Sequence, residues 1–430
     1  MNPGAKWGCK RLRHLCDVNP ARPQATPAPS QQVAFLPMER IGDRGKLDCE
    51  LLIDYGAANS GLTVFQNGDV LIAKITPCFE NGKGALCQDL PGGYGVGTTE
   101  LHVLRPRSNL DARFLYYVTT SAEFRVAGVG AMSGAAGQKR VPDDFVRDFR
   151  CLIPAALEQH AICTFLDRET TRLDALIEKK ERLITLLEEK RAALINRAVT
   201  KGLDPSAPLK DSGFPWLGAI PTHWKTRRLK YVSSFVTSGS RGWADHYSDD
   251  GPIFLRIGNL TREGIDLDLS DIQRVQPPPG AEGERTSVNS GDLLVSITAD
   301  IGSVAVVPDN LEPGFVNQHL ALVRLRSALV SPRFVGYALR APSLQTQFRL
   351  ALYGGTKQGL GLEDVANLLV TLPPLSEQVR IVVHIDSAAR RIGAAIAKTR
   401  EQIAKFQEYR TALISAAVTG KIDVRGSTEA

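Results

Sequence analysis

The chain contains an internal repeat, and this repeat restricts the possible folds more than any other feature of the sequence. Residues 154–162 (PAALEQHAI) match residues 373–381 (PPLSEQVRI) at a shift of 219 residues. The same shift returns at residues 198–204 (AVTKGLD) and 417–423 (AVTGKID). About fifty residues align in this way without a gap, whereas the segments that precede them in the two copies align only in short stretches. We therefore interpret the chain as a duplication with a preserved frame and divergent inserts.

Each repeat ends in a segment whose apolar residues step by four and three, which is the spacing of a heptad seam. The flanks carry charges of both signs, as expected for a solvated helix face. Each seam is about three heptads long, so neither helix is expected to be stable unless it packs on a partner. The seam residues of the two copies are Leu173, Ile177, Ile184, Leu187 and Leu194, and Ile392, Ile396, Ile403, Phe406 and Leu413.

We expect the two helices to form an antiparallel pair, because a duplicated unit joined head to tail closes most simply around a pseudo-two-fold axis. From Leu173 to Leu194 the first seam is roughly 33 Å long at about 1.5 Å per residue. Gly202 and Gly420 follow the last apolar turns and are expected to cap the helices. A generic coiled coil that joins two copies of the chain is the alternative interpretation.

The segments before the helices contain short β-type runs between turn residues, such as residues 70–75 and 293–297. Residues 114–124 and 334–350 are predicted to be helical, and residues 92–97 (GGYGVG) are predicted to form a hairpin or loop. The predicted fold class is α+β, with two mixed globular domains separated by the helix pair. The predicted domains are residues 1–153, helical region 154–204, residues 205–372 including a linker, and helical region 373–430.

Composition limits the partners and the environment of the protein. The chain has 52 Lys and Arg against 46 Asp and Glu, a formal net charge of +6, and this balance permits a polyanionic partner. Its seven cysteines include no Cys-x-x-Cys pair, which favours reduced thiols over disulfides or a zinc site. No run of 18 apolar residues and no apolar N-terminal stretch occurs, so we expect neither membrane insertion nor secretion, and a cytoplasmic location.

No stretch of the sequence predicts an active site. Residues 80–84 (ENGKG) lack the first glycine and the Ser or Thr of a phosphate-binding loop. Residues 19–21 (NPA) do not fit the Asn/Asp-Pro-Pro-aromatic signature of an amino-methyltransferase, and residues 142–144 (PDD) lack the Glu-x-Lys of a nuclease metal site. The histidines are scattered without metal-ligand spacing. We therefore predict no catalytic residue and no metal site.

The order of the remaining motifs points to a family. In the second copy they are residues 224–229 (WKTRRL), 291–295 (GDLLV), 354–358 (GGTKQ) and 372–378 (LPPLSEQ), followed by the long helix. The first copy adds residues 173–184 (LDALIEKKERLI) and 189–195 (EKRAALI). This order resembles that of the specificity subunit of type I restriction-modification systems, over essentially the whole chain.

The resemblance implies two target-recognition domains, each reading one half of a bipartite, asymmetric site in double-stranded DNA. It also implies a non-catalytic protein that binds two methyltransferase subunits and, through them, restriction and motor subunits. No cofactor is expected in this chain, whereas S-adenosylmethionine, ATP and Mg²⁺ are expected in the partner subunits. One turn of B-DNA is about 34 to 36 Å, close to the seam length, so domains at opposite ends of the pair can reach successive major grooves.

The DNA-binding candidates are polar loop residues that lie in or after the family motifs along the chain. Arg and Lys side chains can pair with guanine edges, Asn and Gln with adenine, and all of them with phosphate. In the first domain these candidates are Lys74, Thr76, Asn81, Lys83, Thr98, Thr99, Gln138, Lys139 and Arg140. In the second domain they are Ser240, Arg241, Arg256, Asn259, Thr298, Gln318, His319, Lys357 and Gln358.

Two other classes of function stay open at this point. The chain could itself modify DNA, although the missing signature motifs count against this. It could instead be a stand-alone scaffold whose duplicated coiled coils bind only protein partners. Salt-dependent, sequence-selective DNA binding distinguishes a DNA reader from such a scaffold.

Overall fold

The protein divides into two compact units. The computed structural model describes residues 7–20, 27–58, 61–135, 137–278, 280–352 and 359–424. Unit 1 comprises Met1–Arg182 and Thr399–Ala430, and unit 2 comprises Leu183–Lys398. Each unit contains one mixed α+β domain and part of both long helices, α4 (Ala156–Lys201) and α9 (Leu375–Val418). The four domains predicted from the sequence stay a prediction; they follow the chain in order, whereas unit 1 combines two separate stretches.

The domain of unit 1 is built from short strands and three short helices. Its strands are β1 (Gly8–Arg11), β2 (Cys16–Val18), β3 (Gln32–Leu36), β4 (Leu52–Asp54), β5 (Thr63–Gln66), β6 (Val70–Ala73), β7 (Gly84–Leu86), β8 (Tyr94–Gly97), β9 (Leu101–Pro106) and β10 (Arg150–Ile153). Its helices are α1 (Ala112–Thr120), α2 (Ala122–Ala131) and α3 (Asp143–Asp148). One antiparallel sheet has the order β2-β9-β6-β7, a second has the order β4-β3-β8-β5 with β3 parallel to β8, and β1 pairs with β10.

The domain of unit 2 repeats this plan. Its strands are β11 (Leu209–Asp211), β12 (Ala219–Pro221), β13 (Lys225–Arg228), β14 (Ser233–Ser238), β15 (Tyr247–Leu255), β16 (Arg274–Val275), β17 (Leu293–Ser296), β18 (Val304–Val306), β19 (Gly314–Val316), β20 (Leu320–Leu325) and β21 (Leu369–Leu372). Its helices are α5 (Ala281–Thr286), α6 (Pro332–Arg340), α7 (Pro342–Leu352) and α8 (Leu362–Asn367). The sheet β14-β20-β17-β18 corresponds to β2-β9-β6-β7, β15 is parallel to β19 as β3 is to β8, and β13 pairs with β21.

The two long helices run antiparallel within each unit. In unit 1, Asp174 of α4 pairs with Arg410 of α9 at 3.1 Å, and the earlier Ile162 shares a buried core with the later Val418. In unit 2, Ile195 and Ala389 line one cavity, while Gly202, just after α4, lies beside Glu377 at the start of α9. Residues with higher numbers on α4 therefore lie beside residues with lower numbers on α9. The predicted antiparallel pair is confirmed.

The seam residues lie on the inner sides of these helices. Gly202 (φ +74°) and Gly420 (φ +67°) follow the helix ends in the left-handed conformation that the predicted caps require. Among the seam residues, four are buried, namely Leu173, Ile177, Ile392 and Ile396. The other six are half-buried, namely Ile184, Leu187, Leu194, Ile403, Phe406 and Leu413.

Two predicted helices are each broken into a pair, for a local reason. In the first, Ser121 has extended backbone (φ −62°, ψ 153°), and its hydroxyl accepts a hydrogen bond from the backbone N–H of Phe124, which caps α2. In the second, Pro342 begins α7, and its ring disfavours helical backbone at the preceding Ala341 (φ −64°, ψ 136°). The prediction that residues 114–124 and 334–350 are helical is therefore confirmed, with one break in each stretch.

Residues 92–97 were predicted to form a hairpin or loop, but four of these six residues form strand β8. A Cβ on Gly95 would lie 2.3 Å from the ring of Phe65, and one on Gly97 would lie 2.7 Å from the carbonyl oxygen of Leu36. These glycines therefore allow close approach of neighbouring strands rather than flexibility.

Candidate nucleic-acid interface

A buried carboxylate holds the same strands together in both units. Asp69 accepts hydrogen bonds from the Arg105 guanidinium at 2.8 and 2.8 Å and from the backbone N–H of Gln66 at 2.9 Å. In unit 2, Asp292 accepts from Arg324 at 2.9 and 2.8 Å. Hydrogen bonding to the carboxylate raises the pKa of each arginine. The Gly-Asp motif is therefore an anchor of the fold, placed just before the strand that leads to the candidate interface.

A tyrosine and an arginine fasten each domain to the first part of its long helix. In unit 1, the Tyr117 hydroxyl donates to Asp167 of α4 at 2.6 Å, and Arg113 pairs with Asp167 at 3.0 Å. In unit 2, the equivalent contacts join Tyr337 to Asp386 of α9 at 2.5 Å and Arg333 to Asp386 at 2.8 Å. Burial, followed by the hydrogen bond to the carboxylate, raises the pKa of both tyrosines, so they are neutral donors at physiological pH.

The Glu-Gln turn, which is present in both copies of the repeat, supplies a second fastening. In unit 1, Gln159 accepts from the backbone N–H of Asp111 at 2.8 Å and donates to the carbonyl of Pro154 at 3.0 Å. Gln378 makes the same two bonds in unit 2, to Ser331 at 2.8 Å and Pro373 at 2.9 Å. Both glutamines are buried, so these bonds satisfy amide groups that would otherwise be costly to bury.

The other long helix caps a short helix in each domain. In unit 1, the backbone N–H of Ala122 at the start of α2 donates to the Ser415 hydroxyl of α9 at 2.8 Å. In unit 2, the backbone N–H of Ser343 in the first turn of α7 donates to the Asn196 side chain of α4 at 3.0 Å. Every domain is thus bonded to both helices, at equivalent positions of the repeat.

These supporting contacts, which we call the frame, bring three separate stretches of unit 1 to one edge of its domain. The backbone N–H of Lys74 donates to the carbonyl of Glu100 at 2.9 Å, and that of Thr76 donates to the carbonyl of Lys139 at 2.9 Å. Arg140 forms a bidentate ion pair with Glu100, with contacts of 2.7 and 2.9 Å. We call Lys74, Thr76, Thr99, Glu100, Gln138, Lys139 and Arg140 the unit 1 loop cluster.

The predicted residues of unit 1 divide into exposed and engaged side chains. Asn81, Thr99, Gln138 and Lys139 are exposed. Three others are engaged within the protein: Lys83 donates to the carbonyl of Met38 at 2.7 Å, Thr98 accepts from the backbone N–H of Glu100 at 3.2 Å, and Thr76 donates to the carbonyl of Lys139 at 3.3 Å.

Glu100 is the residue that the sequence analysis missed. The hydrogen bond from Arg140 lowers the pKa of its carboxyl, which therefore stays charged and holds the 138–140 loop against the strand ends. The sequence indicates Glu100 only by its position, directly after the two candidate DNA-binding threonines. Beside this cluster, Asn19, Thr63, Lys74 and Thr99 line a cavity of about 250 Å³.

The same edge of unit 2 carries different chemistry on the same backbone frame. The backbone N–H of Ile297 donates to the carbonyl of His319 at 3.0 Å, as Lys74 does to Glu100. The His319 ring contacts Thr298 at 2.9 Å and the amide nitrogen of Gln318 at 3.2 Å. Because an amide nitrogen only donates, the facing ring nitrogen accepts and the other donates to Thr298. We call Thr298, Gln318 and His319 the unit 2 loop cluster.

The other predicted residues of unit 2 lie away from this cluster or outside the described residues. Ser240 is fully buried and shares a hydrogen bond with Thr286 at 2.8 Å. Asn259 is buried and donates to the carbonyls of Asp268 and Asp271. The remaining three groups differ in setting: Arg256 pairs with Asp271 at 3.2 Å, Arg241 is exposed, and Lys357 and Gln358 lie outside the described residues.

Sites of other chemistry would need metal ligands, reactive thiols or a membrane-spanning helix. Within the described residues, no group of three His, Cys, Asp or Glu residues is placed to hold a metal ion. All seven cysteines are free, and burial raises the pKa of Cys16 and of Cys151 to about 12, which keeps both thiols protonated. No helix in these ranges combines the length and the apolar character needed to cross a bilayer.

Comparison with known proteins identifies the family. Residues 281–404 match the family described as "Type I restriction modification DNA specificity domain". The chain is 35% identical to the type I restriction enzyme EcoAI specificity subunit of Escherichia coli, over 88% of this chain and 77% of that protein. It is 36% identical to the EcoEI specificity subunit of the same species, but over 44% of this chain and only 33% of that protein.

Solved structures agree at the level of the fold. One, titled as the structural basis of complex assembly and conformational transition of the type I R-M system, superposes with a TM-score of 0.71 at 20% identity, covering 97% of this chain and 98% of that one. The HsdS subunit from Thermoanaerobacter tengcongensis superposes with a TM-score of 0.50 at 21% identity, covering 98% of each chain. The chain belongs to the specificity subunits of type I restriction-modification systems, which are non-catalytic DNA-recognition subunits.

Proposed function

We propose that the chain reads a bipartite, asymmetric site in duplex DNA, with one loop cluster facing each half-site. The observation that carries this proposal is the contrast between a duplicated frame and divergent clusters. The same backbone bonds support both clusters, yet the equivalent positions hold Glu100 in unit 1 and His319 in unit 2. Different side chains on one frame present different donors and acceptors, so the two half-sites should differ in sequence.

Side chains at the loop edge of unit 1 suit both functions of a DNA interface, since Asn81, Gln138 and Lys139 are exposed and Lys74 is half-buried beside the cavity. Lys74 and Lys139 can contact phosphates and guanine edges, whereas Gln138 and Asn81 can pair with adenine. Arg140 is engaged by Glu100, so we assign it to holding the loop. In unit 2, Gln318 and Thr298 supply neutral donors and acceptors, with His319 orienting both.

We further propose that the long helices dock two methyltransferase subunits and, through them, the restriction subunits. S-adenosylmethionine, ATP and Mg²⁺ would then act in those partners, and none in this chain. Exposed apolar side chains on the helices support a protein interface there, because such residues are costly to leave in water. They are Leu183 and Leu186 on α4 and Leu375, Val379 and Val383 on α9.

A domain exchange tests the reading function. We would replace residues 1–150 with the equivalent part of a relative, express the chimaera with its partner subunits, and map the methylated positions in the host genome. The expected result is a change in one half-site while the other is retained. A change in both half-sites would contradict modular reading, and the absence of any sequence preference would leave the protein-only scaffold as the better interpretation.

The helix pair is proposed to set the spacing of the half-sites. Inserting seven residues, two turns that keep the heptad phase, into both α4 and α9 should lengthen the spacer between the half-sites. The matched control carries the same insertion in α4 alone, which disrupts the pairing without a matching extension of α9. An unchanged spacer with retained methylation would show that the helices do not set it.

A further inference from the structure

Unit 2 carries a run of exposed cations that the reading function does not use. Lys225, Arg227 and Arg228 of β13 and Lys230 of the turn that follows are all exposed, and we call these four residues the basic strip. Among the described residues, none of their charges lies within 4 Å of a carboxylate. Arg228 instead donates to the neutral side chain of Asn367 at 3.0 Å.

The first copy of the repeat has a carboxylate at the corresponding place. In unit 1, Asp148 pairs with Arg11 at 3.0 Å and with Arg13 at 2.6 Å, and Asp148 corresponds to Asn367 at the shift of 219 residues. The positions that correspond to the basic strip are Gly8, Lys10, Arg11 and Arg13, because Arg11 lies opposite Arg150 as Arg228 lies opposite Leu369. Among the described residues of unit 1, one of these four positions, Lys10, carries a charge that is not paired with a carboxylate, whereas all four positions do in unit 2.

The basic strip lies at the end of the sheet opposite the unit 2 loop cluster. It directly precedes β14, whose first residue, Ser233, pairs with Leu325 and whose last residue, Ser238, pairs with Ala321 near the cluster. Five steps along a strand at about 3.4 Å per residue separate these ends by roughly 17 Å. The strip is thus too far away to read the same base pairs, but a duplex is long enough to reach both.

We propose that the basic strip binds the phosphate backbone of duplex DNA outside the half-site read by unit 2. Four like charges in six residues repel one another, and a linear array of phosphates relieves this repulsion. The core of a protein interface is depleted in charged residues, which argues against an acidic protein as the partner. Exposed Tyr231, with the ammonium of Lys230 5.4 Å from its ring centre, adds an amphipathic surface beside the cations.

The strip would add affinity but no sequence selectivity, so it goes beyond the proposed reading function. The test uses the full chain with three changes, Lys225→Ala, Arg227→Ala and Lys230→Ala, and compares its binding to a specific and to an unrelated duplex between 50 and 200 mM salt. Each lost phosphate contact lowers the slope of log affinity against log salt by about 0.9, so we expect a loss of about 2.7 and, near 0.1 M salt, on the order of 100-fold weaker binding.

Two variants sharpen this result. Asn367→Asp supplies the carboxylate that unit 1 has at this place, and should lower the slope by about 1. The matched control removes three exposed cations of α4, with Lys179→Ala, Arg182→Ala and Lys190→Ala, and should keep the slope of the unchanged protein. Unaltered thermal unfolding of each variant verifies that the fold is intact.

The outcomes separate the two proposals. Equal weakening on both duplexes, with the preference between them retained, supports the strip as a phosphate contact. A triple variant that behaves like the control overturns the proposal. An unchanged salt slope combined with loss of partner subunits during purification also overturns it, because loss of the subunits identifies the strip as a protein interface. Failure of sequence reading is seen separately, as a lack of preference in the unchanged protein.

Discussion

Unit 1 and unit 2 contain the same supporting contacts but differ at the loop edge that they support. The same buried ion pair occurs in both units, with equal distances: it joins Asp69 to Arg105 in unit 1 and Asp292 to Arg324 in unit 2. At the loop edge, unit 1 uses a charged pair, whereas unit 2 uses a chain of hydrogen bonds through His319. The comparison indicates that duplication preserved what positions the loops, while the side chains available to DNA diverged.

The buried carboxylate should be the most sensitive point of both frames. Asp69→Ala and Asp292→Ala each leave an arginine and a backbone N–H without their acceptor, which we expect to cost about 3 kcal/mol of stability. Chemical denaturation of the full chain measures this. Asp17→Ala, which breaks the half-exposed pair with Arg107, is the control and should cost less than about 1 kcal/mol. A large loss in one unit but not in the other would show that the frames are not equivalent.

The seam should respond equally at equivalent positions. Ile177 in unit 1 and Ile396 in unit 2 are related by the shift of 219 and are both buried. Replacing either with Ala removes methyl and methylene groups from a packed core and should cost about 2 to 4 kcal/mol. Leu183→Ala, at an exposed position of α4, should change the unfolding free energy by less than about 0.5 kcal/mol. Equal effects at Leu183 and Ile177 would contradict the assigned inner face.

The ion pair of unit 1 should matter for binding, since unit 2 has His319 at the position of Glu100. Glu100→Gln releases Arg140 and leaves the 138–140 loop to be ordered when DNA binds. Ordering a side chain costs about 0.5 to 1.5 kcal/mol, so we expect up to about tenfold weaker binding of DNA that carries the first half-site. Binding titrations with duplexes altered in one half-site measure it. An equal loss on DNA that lacks the first half-site would argue against a role in reading that half.

The pH dependence should also distinguish the units. Burial lowers the pKa of His102 in unit 1 below its ordinary value near 6.5, whereas Ala321 occupies the equivalent place in unit 2. The unfolded chain therefore binds this proton at a higher pH than the folded chain does, so the stability of unit 1 should fall as the pH decreases through 6.5.

His102→Gln tests this smallest effect while keeping a donor for the carbonyl of Val141, which His102 contacts at 2.9 Å. We expect the variant to lose part of the difference between denaturation midpoints measured at pH 7.5 and pH 5.5. The same difference in the variant and in the unchanged protein would assign the acid sensitivity to other groups.

Much of the fold could be predicted because it follows from local periodicity and from the repeat. The 4,3 spacing of residues such as Ile177 and Ile396 predicts the helices, and duplication predicts the antiparallel pairing. The breaks at Ser121 and Ala341 were missed because a capping hydroxyl and a proline override an apolar pattern within one residue. Strand β8 was missed because the glycines of residues 92–97 favour a hairpin or loop, whereas Gly95 and Gly97 serve close packing.

The candidate sites were less predictable than the fold. Ser240 and Asn259 have the polar chemistry of base readers, but burial and bonds to their own chain engage them. Glu100 was missed because a carboxylate has no evident use beside phosphates until its arginine partner, forty residues away, is seen to contact it.

By itself the amino-acid sequence determined the duplication, the two helices, their seam and the family, because each depends on residue types at fixed spacing along the chain. The tertiary structure alone decided which polar side chains are exposed at the loop edge and which are consumed in holding it. It also decided that Asn367 contacts the basic strip at the place where Asp148 pairs with the arginines of unit 1. These properties depend on distances between residues far apart in the sequence, and such distances exist only once the chain is folded.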